Sequence, residues 1–238
     1  MNSFILRIHE EIRAALRTRR GATHHPKDVL RFSHKRYPRM PQHPLPAPAP
    51  LAMTLDAALA ARHSSDHGDA STSYTRAEMG SLLGHALGAR GDKHRNYPSG
   101  GALYPVETYV ITDRFDDAVP SVFHYDPTAH ALEELFPLPA DFDLKDLIPH
   151  AEPPLSALIV FTAVWERSSA KYGDLAYSHG MLEAGHMSEN VLLVAAALNL
   201  EARPIAGFDD ALITKLLDLG FGEQPVHTIL LSKSASRS

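Results

Sequence analysis

One segment of this 238-residue chain combines glycines with polar side chains in a way that suits a flat ligand. The segment is RNYPSGGALYP, residues 95–105, directly before a predicted strand. Gly100 and Gly101 lack a Cβ atom, so the backbone there can approach a planar ring closely. Ser99 adds a hydroxyl and Arg95 a cation. Composition alone supports a ligand-binding loop and an ordinary tight turn equally.

A second segment, RPIAGFDD at residues 203–210, leads into a predicted helix. Taken alone it is more typical of a connector in which Asp209 caps that helix. The chain has no G-x-G-x-x-G that opens a helix after a strand, no phosphate-binding P-loop and no G-x-S-x-G elbow. A dinucleotide-binding fold and a serine hydrolase are therefore not indicated.

Histidine is abundant, with fifteen residues, whereas cysteine is absent. The lack of cysteine excludes disulfides, thiolate zinc sites, iron–sulfur clusters and a cysteine nucleophile. Three histidine pairs have suggestive spacing: His24 and His25, His63 and His67, His179 and His186. No H-E-x-x-H or comparable set accompanies them. We therefore predict no metal site and expect most histidines to be solvated or hydrogen-bonded.

Hydrophobic patterning predicts the elements that position these segments. A capping box of Thr75 and Glu78 begins a helix that Gly88 ends. The strongest helix, 178–198, is apolar on nearly every side in its second half, so it needs burial in a large core or against another subunit. The other predicted elements are helices at 55–61, capped by Thr54, and 209–219, and strands at 106–112, 122–125, 157–164 and 226–231. Without steady β–α alternation, this mixture predicts an α+β domain with a central mixed sheet.

The first 51 residues are predicted to lie apart from the main domain. Residues 3–20 carry apolar side chains at helical spacing and end in a basic run, which we interpret as a solvated helix end or a docking arm. Residues 37–50 hold six prolines and predict an extended connector rather than an element. The predicted division is an arm and connector at 1–51 and a main domain at 52–238.

Composition limits the classes of partner. The net charge of −5 argues against nucleic-acid binding through bulk charge. The longest apolar run, 191–198, is far shorter than the roughly 18 residues that suggest a membrane span, and the start of the chain lacks a signal-peptide cleavage pattern. We expect a soluble, cytoplasmic protein with no nucleic-acid or membrane partner.

Read in order, seven segments resemble those of one family. FSHKRYPR, LAARHSS, PSGGALYPVETYVI, FHYDPTAHALEEL, AKYGDLAY, EAGHMSENVLLVAAALNL and PIAGFDD resemble the SagB-type dehydrogenases, which are FMN-dependent azoline oxidases of the nitroreductase superfamily. The resemblance covers roughly residues 30–232. It implies a nitroreductase-like α+β fold, an intertwined homodimer and two FMN molecules at the subunit interface.

The resemblance also implies a cofactor site. Arg62 corresponds to a residue that pairs with the FMN phosphate, to which a guanidinium can donate two parallel hydrogen bonds. Asp66 stands where a second basic residue is usual, so we predict that Lys233 supplies this cation; Ala206 replaces a usual glycine. The predicted cofactor-binding residues are Arg62, His63, Ser64, Arg95, Pro98, Ser99, Gly100, Gly101, Glu183, Pro204, Ile205, Ala206, Gly207 and Lys233.

Lys171 and Tyr172 correspond to a lysine–tyrosine pair implicated in catalysis in this family. Oxidation of a thiazoline or oxazoline to its azole removes a ring proton and delivers a hydride to flavin N5, so a general base must take the proton. A lysine can do so where burial disfavours its charged form, and a tyrosine can donate a hydrogen bond or relay the proton. The ordinary alternative for this dipeptide is a surface lysine beside a packing tyrosine.

The predicted function is therefore FMN-dependent oxidation of azolines in a ribosomally synthesised, modified peptide, with dioxygen reoxidising the flavin. The expected partners are a second copy of the chain, a precursor peptide and a cyclodehydratase. Two other functions stay open: an NAD(P)H-dependent nitroreductase or quinone reductase, and a non-catalytic scaffold subunit of a peptide-modifying complex.

Overall fold

A seven-stranded sheet lies at the centre of the computed structural model, which describes residues 34–65, 73–91, 94–112, 115, 119–151 and 156–233, with residues 7, 8, 10–12 and 14. The strand order is β1-β6-β5-β4-β7-β9-β8. These strands are β1 (Gln42–Pro44), β4 (Val106–Thr112), β5 (Ser121–Asp126), β6 (Ala131–Pro137), β7 (Ala157–Val164), β8 (Leu200–Ile205) and β9 (Glu223–Lys233). A separate hairpin pairs β2 (Ala89–Arg90) with β3 (His94–Arg95).

Helices cover both faces of the sheet. They are α1 (Leu55–Ala61), α2 (Arg76–Leu87), α3 (Leu144–Leu147), α4 (Glu166–Tyr172), α5 (Leu175–Ala197) and α6 (Asp210–Leu216). Helices α2 and α5 pack on one face in a core that includes Val110 and Phe161. Helices α3 and α6 pack on the other face, against Tyr109 and Val160. The predicted α+β class, with a central sheet flanked by helices, is confirmed.

The strand directions are more uniform than a mixed sheet. Every neighbouring pair in the sheet, among the residues described, is antiparallel. Strands β7 and β8 run in the same direction because both are antiparallel to β9, but β9 lies between them. The helical connection from β7 to β8 therefore creates no parallel neighbours.

Elements with strong local signals form where the sequence predicts them. Strands β4 and β7 and helix α1 have the predicted bounds, and α2 carries the predicted capping box: the Glu78 amide donates to Thr75 Oγ1 and the Thr75 amide donates to the Glu78 carboxylate. Thr54 precedes α1 but makes no side-chain capping bond. Helix α5 begins at Leu175, earlier than predicted, and β9 extends beyond 226–231 at both ends.

Helix α5 is buried in its second half, as predicted, and the core of this chain supplies that burial. Its second half, including Val191 and Ala195, is buried inside this chain against the sheet and α2. The exposed apolar side chains lie in its first half: Tyr177 (52%), Met181 (39%) and Leu182 (61%). The apolar surface that α5 leaves exposed in this chain therefore lies in its N-terminal half.

The proline-rich segment contains an element after all. Gln42–Pro44 forms β1, which pairs with β6 at the edge of the sheet. An edge strand tolerates proline because one row of its amides faces away from the ladder. Before it, the Lys35 amide donates to Glu107 Oε1 (2.6 Å) and the Tyr37 amide to Glu133 Oε1 (2.8 Å). Residues 34–44 therefore belong to the main domain: their first part bonds buried glutamates of the sheet, and their last part forms its edge strand.

Most of the predicted helix 3–20, with its basic end, lies outside the described residues; residues 7, 8, 10–12 and 14 are helical. The described ranges contain no helix that combines the length and apolar character needed to cross a bilayer.

Candidate functional site

The predicted lysine–tyrosine pair lies directly over the glycine loop. Gly101 has a φ of 67°, in the left-handed region that favours glycine. A Cβ atom built on Gly101 would lie 2.5 Å from Tyr172 Oη and 2.7 Å from Lys171 Nζ. Both side chains come from the last turn of α4, which follows β7 through Trp165 and ends at Gly173. The fold therefore joins two segments that are about seventy residues apart in sequence.

Glu183 holds the same loop from helix α5. Its Oε1 accepts a long hydrogen bond from the Val106 amide (3.4 Å), and its carboxylate also bonds the Ser99 hydroxyl. Ser99 Oγ in turn accepts from the Tyr104 amide (2.9 Å). The second oxygen, Glu183 Oε2, is buried and has no hydrogen-bond partner among the described residues.

Burial controls the protonation of Glu183. Loss of solvent raises the pKa of this carboxyl to about 7, against the opposing effects of the Ser99 and Val106 hydrogen bonds and the charges of Arg95 and Arg167. A carboxyl with such a pKa exchanges a proton near neutral pH.

His179 also belongs to this cluster, although the sequence did not single it out as a site residue. A Cβ on Gly100 would lie 3.2 Å from His179 Nδ1, and the imidazole packs edge-on against Tyr172 with ring centroids 4.5 Å apart. His179 Nδ1 is buried and unpartnered within the described chain. Its place four residues before Glu183 on one helix face is the signal that could have found it. His186, its predicted face-mate, is exposed.

The other side of the loop faces a cavity of about 610 Å³. Arg95, Pro98 and Ser99 line it, as do Tyr97 and Tyr104. Arg95 donates to Tyr97 Oη (2.7 Å), and its guanidinium lies over the Tyr104 ring, 4.7 Å from the centroid. Arg95 is thus fixed by two aromatic residues at the loop, as a positive charge beside the site.

A buried ionic network lies behind the loop. Arg167 of α4 forms an ion pair with Glu107 and donates to the Tyr104 carbonyl (3.1 Å). His124 hydrogen-bonds with both Glu107 (3.1 Å) and Glu133 (2.8 Å). Burial opposes ionisation of Glu107, but the His124 hydrogen bond and the Arg167 charge together lower its pKa to about 2.

The predicted phosphate-binding segment lies at a different place, beside the start of β8. Arg62 Nε is 3.7 Å from Glu189 Oε1, and His63 Nε2 is 3.5 Å from Glu201 Oε2. Ser64 is exposed. These contacts leave the segment at the surface, where the Arg62 and His63 side chains each have a carboxylate neighbour.

Lys233 reaches the same end of β8, since it pairs with Leu200 in the sheet register. Its Nζ lies 2.9 Å from Glu78 Oε1 and 5.7 Å from the centroid of the Tyr74 ring. A phosphate ligand would have to share this amine with Glu78. Asp66, which prompted the choice of Lys233, lies outside the described residues.

The PIAG segment lies at the opposite end of β8 from Arg62. Pro204 and Ile205 end the strand, and Ala206 and Gly207 follow as exposed residues. A Cβ on Gly207 would lie 3.8 Å from His150, in ordinary contact. At a rise of about 3.3 Å per residue, the two ends of β8 are roughly 17 Å apart. The Ser65 amide, directly after the Arg62–Ser64 segment, donates to the Ala202 carbonyl (3.4 Å), two residues before Pro204.

Within the described ranges no three histidine, aspartate or glutamate side chains are grouped so that they could hold a metal ion. His24, His25 and His67 lie outside those ranges.

The fold and this site define an α+β protein in which Lys171, Tyr172, His179 and Glu183 pack against the loop at residues 99–106. The Nitroreductase family profile matches residues 55–231, and the chain belongs to that family. The match begins just after the predicted domain boundary at 51/52, although residues 34–44 also contact the sheet.

Three relatives carry informative names. The chain is 30% identical over 136 residues to the microcin B17-processing protein McbC of Escherichia coli (54% of this chain, 50% of McbC). It is 28% identical over 155 residues to MJ1384, named a nitroreductase, of Methanocaldococcus jannaschii (63% and 77%). It is 26% identical over 129 residues to the trifolitoxin-processing protein TfxB of Rhizobium leguminosarum (51% and 35%). The predicted resemblance to peptide-processing members is thus confirmed, while the chain spans about half of McbC and a third of TfxB.

Solved structures share the fold. One chain of the E. coli microcin synthetase McbBCD complex, with a truncated pro-microcin bound, matches with a TM-score of 0.63 at 20% identity, over 99% of each chain. A nitroreductase of Exiguobacterium sibiricum in complex with FMN matches with a TM-score of 0.54 at 14% identity, over 79% of this chain and 92% of that one.

Proposed function

We propose that this protein oxidises thiazoline or oxazoline rings of a ribosomally synthesised peptide to thiazoles or oxazoles, with FMN as its cofactor. The observation that carries the proposal is the convergence of Lys171 Nζ and Tyr172 Oη on Gly101. The names of McbC and TfxB, two relatives that process peptide toxins or antibiotics, support the substrate class.

The residues of the site fit a flavin. Without Cβ atoms, the Gly100–Gly101 backbone lies directly against the polar ends of Lys171, Tyr172 and His179, so a ring beside this backbone would be close to all three. Two buried polar atoms beside it, Glu183 Oε2 and His179 Nδ1, lack partners in the described chain, and such atoms are rare unless a ligand or water completes them. Arg62 and Lys233 would supply cations for the phosphate. When bound, FMN would accept the hydride that the ring loses.

Lys171 and Tyr172 would handle the proton. Aromatisation removes one proton and one hydride from the ring, so a base must face the carbon that loses the proton. Lys171 Nζ would take that proton, and Tyr172 Oη would donate a hydrogen bond to the substrate. The imidazole of His179, packed on the Tyr172 ring, would keep that hydroxyl aimed at the loop.

Exposed apolar residues support the proposed homodimer. Tyr177 and Leu182 on α5 are 52% and 61% exposed, and Leu55 and Leu59 on α1 are 68% and 55% exposed. Helices α1 and α5 contact each other, so these side chains can contribute to one surface. We propose that this surface contacts a second copy, and that the dimer works with a cyclodehydratase and a precursor peptide in the cytoplasm.

The test is oxidation of a defined azoline peptide. Purified protein is expected to show flavin absorbance. Incubated with the peptide under air, it should remove two hydrogen atoms per ring, which mass spectrometry detects as a loss of mass. Lys171→Ala and Tyr172→Phe should keep the flavin and lower the rate by about a hundredfold or more. Colourless protein that takes up no added FMN would contradict the proposal. If the peptide is processed equally well by both variants but not without the protein, the scaffold function is favoured.

A nitroreductase function is the second candidate, because MJ1384 is also a relative. Rapid bleaching of the bound flavin by NADH or NADPH, with transfer to a quinone or nitroarene, would favour it. Under the proposed function we expect slow bleaching by either nucleotide and rapid bleaching by the azoline peptide without air.

A further inference from the structure

Arg167 connects the helix that carries the lysine–tyrosine pair to the loop beneath that pair. It lies on α4 four residues before Lys171, on the same side of the helix. Its side chain is buried, and its two terminal nitrogens have different partners. Nη1 donates to the Tyr104 carbonyl (3.1 Å), and Nη2 pairs with Glu107 Oε1.

The acceptor Glu107 is itself held from several elements. It lies on the central strand β4, and His124 of β5 hydrogen-bonds with its Oε2. The Lys35 amide donates to its Oε1. Arg167 is therefore tied to a fixed point of the sheet rather than to a mobile surface side chain.

The loop end that Arg167 holds has an unfavourable backbone. Ala102 and Tyr104 both have positive φ, at 55° and 47°, although neither is glycine. Such a conformation persists only where surrounding contacts hold it. The Tyr104 amide bonds Ser99 Oγ, its hydroxyl accepts from the Arg95 amide, and its carbonyl accepts from Arg167.

We infer that Arg167 is a positioning residue: by joining α4 to the Tyr104 end of the loop, it sets where Lys171 Nζ and Tyr172 Oη lie over Gly101. The inference rests on the proposed function for the part played by Lys171 and Tyr172. The competing explanation is that Arg167 only neutralises the buried carboxylate of Glu107. The two differ because neutralisation needs no contact with Tyr104.

A double-mutant cycle separates the explanations. Arg167→Met alone leaves Glu107 buried without its cation, so it should destabilise the protein strongly. Arg167→Met combined with Glu107→Gln removes both charges and should regain most of the denaturation midpoint. We expect kcat for azoline oxidation to stay about tenfold or more below that of the unaltered protein, with KM little changed, because nothing holds the Tyr104 carbonyl. If kcat returns together with stability, the inference is overturned.

Two single variants complete the set. Glu107→Gln keeps the Arg167–Tyr104 bond but leaves Arg167 buried without its anion, so it should lower stability and still retain more kcat than the double variant. Arg167→Lys keeps the charge but cannot contact Tyr104 and Glu107 through two separate nitrogens. We therefore expect a clear loss of kcat with little change in the denaturation midpoint. Glu166→Gln, at an exposed position on the same helix, is the control and should change neither kcat nor stability. A loss of kcat in this control would show that any substitution on α4 lowers kcat.

Labelling of lysine amines tests the position without the reaction. With an amine-reactive reagent and peptide mass spectrometry, Lys171 should react severalfold faster in the double variant, while exposed Lys145 and Lys215 should not change. Unchanged labelling of Lys171 would overturn the inference. If the unaltered protein oxidises no azoline, the proposed function fails while this measurement still decides the role of Arg167.

Discussion

Two buried glutamates next to the loop show how single residues set the chemistry of this site. Glu107 and Glu183 are both almost completely buried, at 2% and 1% exposure. Glu107 has close hydrogen bonds to His124 and a direct ion pair with Arg167, and its pKa is lowered to about 2. Glu183 has one oxygen without a partner, and burial raises its pKa to about 7. The difference lies in their partners rather than in their depth.

Glu183→Gln should change how stability depends on pH. The folded protein binds the Glu183 proton more tightly than the unfolded chain, whose value is near 4.5. The contribution of this group to the free energy of unfolding is therefore fully present below about pH 4.5 and is lost as pH rises through about 7. The glutamine side chain does not ionise. The free energy of unfolding of the variant, relative to that of the unaltered protein, should therefore increase by roughly 2 kcal/mol between mildly acidic and mildly basic pH.

Urea denaturation at the two pH values measures this difference. Glu189→Gln is the matched control, because Glu189 is an exposed glutamate on the same helix. If the free energies of unfolding of Glu183→Gln and the unaltered protein changed with pH in the same way, the pKa of Glu183 would not be raised in the folded protein.

Gly101→Ala should lower activity far more than stability. The new methyl group would meet Tyr172 Oη and Lys171 Nζ at 2.5 and 2.7 Å, so both must move. A displacement of this size can lower kcat by about a hundredfold. Gly91→Ala is the control: Gly91 also has a positive φ, of 63°, but nothing lies within 4 Å of its Cβ position. Both variants should lose roughly 1 kcal/mol through backbone strain, and equal activity in the two would contradict the assigned geometry.

At the scale of elements, helix ends connect the sheet to the site. The capping box at the start of α2 joins two contacts, because Glu78 bonds Thr75 and also pairs with Lys233 at the end of β9. Strand β4, rich in β-branched and aromatic residues, and strand β7, a continuous apolar run, have the predicted bounds. Strands β6 and β8 were missed, since Glu133 and Glu134 occupy β6 and Pro204 lies in β8. Those residues are accommodated by cross-strand and edge contacts that a local pattern does not contain.

Thr75→Ala should lower the free energy of unfolding by about 1 kcal/mol, because the Glu78 amide loses its acceptor. Thr54→Ala provides the comparison, since Thr54 precedes α1 without a side-chain capping bond; we expect a change of at most a few tenths of a kcal/mol there. Chemical denaturation measures both. Similar losses in the two variants would mean that threonine at these positions acts through something other than the cap.

At the scale of the whole molecule, the exposed apolar side chains of α1 and α5 remain unburied in one chain. Burial of an exposed leucine contributes roughly 1.5–3 kcal/mol, so a surface with several such residues favours association. The second half of the helix predicted at 178–198 is buried in the core of this chain, between α2 and the sheet, which is one of the two predicted alternatives.

Leu182→Glu should therefore shift the protein from dimer to monomer in sedimentation experiments, since a charge at the centre of the surface opposes its burial. Bound FMN should decrease in parallel if the site is completed at the interface. Val119→Glu tests whether any exposed apolar position has this effect, because Val119 is 60% exposed on the β4–β5 connection. A monomeric unaltered protein would refute the proposed dimer.

The sequence alone was enough to predict the strands and helices with strong local patterns and to propose the site segments: the glycine pair, the Lys171–Tyr172 dipeptide and Glu183. Their types and order along the chain are local information, and the resemblance to one family is read from it. Only the tertiary structure decided which segments meet. Gly101 lies under Lys171, Arg167 joins Tyr104 to Glu107, His179 enters the site, and the PIAG segment lies at the far end of β8 from Arg62. Apart from the four-residue spacing of His179 and Glu183 on one helix face, these contacts join segments that are distant in sequence, because strand order and burial bring them together.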